Sequence, residues 1–147
     1  MPMKITIIHD PEIGEPRITV AYGYLTQELQ DLLAEISLAD NRIPGEKNGT
    51  THFLNLSDIY YIETVDGKVF LYTVGDTYET KARIYQLEEK LSGTPFARVS
   101  KSAMVNLKKV RSITPEKHSK LIMTLLNGEK LMVSRQYLNT IKERLGV

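Results

Sequence analysis

Two cations and two hydroxyls crowd one short stretch of this chain. Residues 96–106 read F-A-R-V-S-K-S-A-M-V-N, with Arg98 and Lys101 set among Ser100 and Ser102. If Phe96 begins a strand, alternation puts Phe96, Arg98 and Ser100 on one face and Ala97 and Val99 on the other. The backbone must then turn through Ser100, Lys101 and Ser102 before the apolar run that follows. A turn of that composition holds a lysine and two hydroxyls out from a rigid base. Such groups suit phosphate oxygens, and a lysine also reaches the guanine acceptors of a major groove. The bland alternative is a solvated hairpin whose charges do nothing. Two other places offer similar chemistry. Lys68 follows Asp66-Gly67, a hairpin-tip dipeptide. Arg135 and Gln136 follow Ser134, a candidate N-cap, which would set them beside free backbone N–H groups that favour phosphate.

The inventory for catalysis is poor. His9, His52 and His118 are far apart, and none has a partner at ligand spacing. Ser102 and Ser134 have no evident histidine base. Glu63 and Asp66 can be posed as an acid/base pair, but the pattern puts them at a strand end and in a turn. Gly75 and Gly93 are isolated, so no glycine-rich phosphate loop is present. These features argue against an enzyme, a metal site or a bound cofactor.

Composition points the same way. The chain has 147 residues, enough for one domain and an appendage. Cysteine is absent, which removes disulfides and thiol chemistry and fits a cytoplasmic location. No run approaches the roughly 20 apolar residues of a membrane span, and the N-terminus lacks a signal-peptide core. Net charge is only +1, but its distribution is uneven. Residues 1–51 carry eight carboxylates against four cations, whereas residues 98–135 carry nine cations against Glu116 and Glu129 alone. An acidic head and a basic later half suit a polyanionic partner.

The elements that must position these groups follow from periodicity. Residues 4–9 and 17–22 alternate and predict a β-hairpin around the turn at 10–16. Thr26 caps a predicted helix with Leu25, Leu29, Leu32, Leu33 and Ile36 on one stripe, ended by Asp40 and Asn41. After Arg42 the pattern predicts strands at 43–47, 51–55, 59–65, 68–73 and 77–81, with Asn48-Gly49, Asp66-Gly67 and Gly75-Asp76 as turns. A short helix is expected over 83–91. Strands resume at 96–99, 110–114, 121–125 and 130–133, and a last helix is expected over 135–145. The expected class is mainly β, in two parts: a β-β-α leader at 1–41 and a β-rich domain at 42–147.

Four pieces of that second part resemble one family in order. F-A-R-V-S-K-S-A-M-V-N-L resembles the signature of LytTR DNA-binding domains. L-S-D-I-Y-Y-I-E-T at 56–64 resembles the family's early strand, A-R-I-Y-Q-L-E-E-K-L at 82–91 its small central helix, and M-V-S-R-Q-Y-L at 132–138 its closing motif. The resemblance implies an elongated arrangement of small antiparallel sheets that reads double-stranded DNA with loops. It implies DNA contacts at Lys68, Lys101 and Gln136, with Arg135 beside the last. Arg98, Ser102 and Asn106 match motif positions that support the loop. The first 41 residues look like the short leader of stand-alone regulators without a receiver domain. The expected function is therefore a bacterial transcription regulator, paired as a homodimer by its leader. The competing class is a protein-interaction module in which the leader helix binds a partner and DNA binding is weak or lost.

Overall fold

The structure is a computed structural model, and it describes residues 3–39 and 41–147. Its frame is an antiparallel sheet of seven strands: β1 (Arg42–Lys47), β2 (Thr50–Asn55), β3 (Tyr61–Val65), β4 (Lys68–Tyr72), β5 (Thr77–Thr80), β6 (Phe96–Ser100) and β7 (Ala103–Asn106). Their order across the sheet is β2-β1-β5-β4-β3-β7-β6. A second sheet holds β8 (Val110–Glu116), β9 (Lys120–Leu125) and β10 (Lys130–Val133), with β9 in the middle. Helix α1 (Gln27–Ala39) precedes the strands, α2 (Ile84–Lys90) joins β5 to β6, and α3 (Leu138–Leu145) closes the chain.

Turn chemistry sets the register. Asn48 and Gly49 both have positive φ, as do Asp66 and Gly67, which is the two-residue turn that matches strand twist. Gly45 serves a different need. A Cβ there would lie 2.8 Å from the Cβ of Tyr78, so only glycine lets β1 close on β5.

Two cores lie on opposite faces of the seven-stranded sheet. One packs α2, through Leu87 and Leu91, against Ile43, Ile62, Leu71, Phe96 and Met104. The other packs β9 and α3, through Leu121, Met123, Leu125 and Ile141, against Tyr61, Val99, Ala103 and Val105. Asn106 is a buried polar side chain with every group used. Its amide donates to the carbonyls of Ile59 (3.0 Å) and Leu56 (3.4 Å), and its Oδ1 accepts from the Lys108 N–H (3.1 Å).

The leader departs from expectation. The turn forms, with the Ile13 N–H on the Asp10 carbonyl (3.2 Å), but residues 4–9 and 17–22 are not strands. A two-stranded ribbon with no cover is marginal in water, and among the described residues these two segments are exposed apart from the half-buried Val20. Ile5, Ile7 and Ile18 stay 83%, 91% and 72% exposed. The helix does form where the pattern put it, and Thr26 Oγ1 accepts from the Leu29 N–H (3.2 Å). It lies against β1 with Leu29 buried, so its apolar stripe is covered in part by its own domain. The predicted stop at Asp40 lies outside the described residues. A second departure is β7, an apolar run not expected as a strand. The last helix also begins later than expected, with residues 135–137 forming a 3-10 turn ahead of α3.

Candidate nucleic-acid interface

The predicted contact residues come from three separate connections, and the sheet brings these to one end. Lys68 opens β4 after the Asp66-Gly67 turn and pairs with Val65. Lys101 and Ser102 form the turn between β6 and β7. These two turns are adjacent because the Thr64 N–H donates to the Ser102 carbonyl at 2.7 Å. Arg135 and Gln136 follow β10. They join the same end because the Ser134 N–H donates to the Val99 carbonyl at 2.8 Å, with the Ser134 hydroxyl on the same oxygen at 3.3 Å.

A bulge makes the last connection. The β6–β7 register shifts between Arg98 and Ser100, which leaves Val99 out of the ladder. Its carbonyl is then available to Ser134. Ser134 thus occupies the predicted cap position, but its side chain makes no cap bond and is used to tie β10 to β6.

Arg98 works inward. Its side chain is only 11% exposed. Nε donates to the Ser100 carbonyl (2.9 Å) and Nη2 to the Lys101 carbonyl (2.7 Å), so one guanidinium grips two successive carbonyls where the chain enters the turn. Nη1 reaches Glu88 Oε1 on α2 (3.3 Å), and the group lies 5.6 Å from the Tyr137 ring centre. Ser102 also braces the turn, its N–H donating to Ser100 Oγ at 3.2 Å. Lys68, Lys101, Arg135 and Gln136 are exposed. The division is clear: Arg98 holds the loop, and the lysines, Arg135 and Gln136 face solvent from it.

A fourth connection joins this end. Arg135 Nη2 donates to the His118 carbonyl (3.3 Å), which sets the β8–β9 turn beside the start of the last helix. That turn carries Lys117, and Lys120 opens β9 directly after it. Tyr137, Glu88 and the Val99 carbonyl were not singled out from sequence. Their partners lie 10 to 39 positions away along the chain, so no local pattern marks them.

Helices α2 and α3 are separated by five strands, so among the described residues they form no helix-turn-helix unit. The family model for the LytTr DNA-binding domain matches residues 49–146. The chain belongs to the LytTR family. That is a family of DNA-binding domains and not of catalysts. The sensory transduction protein LytT of Bacillus anthracis is 36% identical over 94 residues, which are 64% of this chain and 38% of that protein. The chain thus spans well under half the length of that relative. An HTH-type transcriptional regulator of Staphylococcus aureus, itself uncharacterized, is 26% identical over 147 residues, 99% of each chain. The LytTr DNA-binding domain of a Bacillus cereus response regulator superposes with a TM-score of 0.69 at 24% identity, covering 73% of this chain and 98% of that domain. The last likeness concerns the fold alone. Strand β1 lies outside the family match, yet it pairs with β2 and β5 inside the main sheet.

Proposed function

We propose that this LytTR protein is a transcription regulator that binds double-stranded DNA sequence-specifically, reading the major groove with loops. The observation that carries the reading is the convergence of the Lys68, Lys101 and Arg135–Gln136 connections on one end of the sheet. Phosphate contacts from Arg135 and the neighbouring lysines supply affinity, and Lys101 and Gln136, with Lys68, supply base selectivity. Acting on a bacterial chromosome places the protein in the cytoplasm. No described helix is long and apolar enough to cross a membrane.

The leader, residues 1–41, pairs two copies in this reading. Its exposed Ile5, Ile7, Ile18 and Tyr24 support that role better than the helix stripe, part of which is already covered. Linked modules on adjacent sites gain affinity through effective concentration. The competing interaction-module reading predicts binding that is insensitive to salt.

The test is selection of bound fragments from a random DNA pool, followed by competition against a scrambled duplex at several salt concentrations. The expected result is an enriched motif, steep salt dependence and, for Lys101→Ala, a loss of roughly 1–3 kcal/mol of selectivity. Enrichment of no motif, or unchanged selectivity in Lys101→Ala, would refute the reading of bases by this loop.

A further inference from the structure

The β4–β5 ladder runs from Tyr72↔Thr77 to Val69↔Thr80. The chain leaves the ladder after Thr80 and bends at Lys81, just past the end that Lys68 opens on β4. Like charges close together repel, and neither lysine makes a hydrogen bond or ion pair among the described residues. Arg83 adds a third cation. Its Nη1 donates to the Gly67 carbonyl at 2.7 Å, so it braces the turn that presents Lys68. The carboxylates nearby are Asp66 in the same turn, and Asp31, Glu46 and Glu79, which line the hollow that Lys81 also lines. None of them is within ion-pair distance of Lys68 or Lys81 among the described residues.

The arrangement one step further along the same face has the opposite sign. Phe70 pairs with Glu63 on one side and Glu79 on the other, and Glu79 pairs with Glu46. A row of carboxylates thus crosses the sheet, and Lys68 lies two residues from Phe70 on the same side of β4, toward the tip. A polyanion is repelled from the sheet face and attracted to the tip.

We propose that Lys81, at the end of β5 next to the start of β4 where Lys68 stands, and joined by Arg83, forms a second phosphate grip that extends the DNA-binding end from the Lys101 turn to the end of β5. A phosphate between Lys68 and Lys81 replaces their mutual repulsion by two attractions, and Arg83 keeps the turn in place for it. The grip reads no bases, so it acts on any duplex. This rests on the proposed DNA-binding function, and the experiment separates the two.

The experiment measures affinity of the full chain for a labelled mixed-sequence DNA duplex across a salt series. Lys81→Ala touches no recorded hydrogen bond, and its fold is checked by thermal melting. It is expected to weaken binding at low salt and to lower the slope of log K against log salt by about 0.9, one phosphate contact. Lys68→Ala with Lys81→Ala is expected to lower the slope by about twice that. Lys142→Ala is the control. It lies on α3, whose neighbour Arg144 donates to the carbonyls of Thr94 and Phe96 at the far end of β6. Its slope should equal that of the unaltered chain. The selectivity ratio for the selected motif should not change in Lys81→Ala. A wild-type slope in Lys81→Ala overturns the grip while leaving DNA binding in place, as does an equal drop in Lys142→Ala. A chain that binds no duplex at any salt overturns both readings.

Discussion

Replacing Arg98 tests whether the LytTR loop is read through a preset shape. Arg98→Ala removes the donors that hold the Ser100 and Lys101 carbonyls at 2.9 and 2.7 Å. Hydrogen bonds from a charged donor contribute about 1.5–3 kcal/mol each. The two share one guanidinium at the rim of the core and do not add in full, so roughly 2–4 kcal/mol is expected for the pair. The contact with Glu88 adds little, because that carboxylate is 49% exposed. Arg98→Lys keeps the charge but cannot grip two carbonyls in a planar fork. It is expected to recover only part of the loss. Chemical denaturation measures the stability, and titration of a selected duplex under conditions where both variants stay folded measures the binding. The expected result is weaker specific binding in both variants, although Arg98 faces inward. A folded Arg98→Ala chain with wild-type affinity and selectivity would refute the idea that the loop is pre-organised by this residue.

Further outcomes follow from other contacts. Because Arg135 anchors the β8–β9 turn, Lys117→Glu is expected to weaken duplex binding as Arg135→Glu does, read by the same titration, and an unaffected Lys117→Glu chain would place that turn off the interface. Burial raises the Tyr61 hydroxyl above its ordinary value of 10, with Glu129 adding to the shift, and burial also raises that of its stacked neighbour Tyr72. Their contribution is fully present below pH 10 and is lost as pH rises through the folded values, so stability should fall in alkali; a Tyr61→Phe chain should show a shallower fall in pH-dependent melting. Light scattering should give a dimer for the full chain and a monomer for a chain starting at Arg42; a full-length monomer at micromolar concentration would remove pairing from the proposal.

What the sequence made legible was local. Asn48-Gly49 and Asp66-Gly67 dictate their turns by backbone preference alone, and Thr26 caps α1 within three residues of its partner. Residues 103–106 were not read as a strand because all four are buried. Both faces of β7 are covered by a core, so the alternation that betrays a half-exposed strand is missing. The leader errs in the other direction. Residues 4–9 and 17–22 alternate correctly, but a strand needs a partner and a cover, and pattern supplies neither. The site was legible as residues and not as a place. Lys68, Lys101 and Gln136 came from separate motifs. The bonds that bring these together, Thr64 to Ser102 and Ser134 to Val99, span 38 and 35 positions and depend on a bulge with no compositional mark.

That bulge also bears on how the proposed loop interface would read a groove. A loop offers bases a few side chains on a backbone that water and thermal motion would otherwise disorder, and ordering it on binding costs affinity. Here each connection at the proposed DNA end is already held by hydrogen bonds within the chain. The β3–β4 turn is held by Arg83 and by Ser102, the β6–β7 turn by Arg98, the start of the last helix by Val99, and the β8–β9 turn by Arg135. Backbone carbonyls accept these bonds, and of the outward-facing side chains named above only Arg135 is also a donor in the frame. On that reading base preference would change at Lys101 or Gln136 without cost to the frame, whereas a change at Arg98 frees two successive carbonyls of its turn at once. On the proposed reading, the residues that would set specificity are thus distinct from Arg98, which holds the loop that presents Lys101.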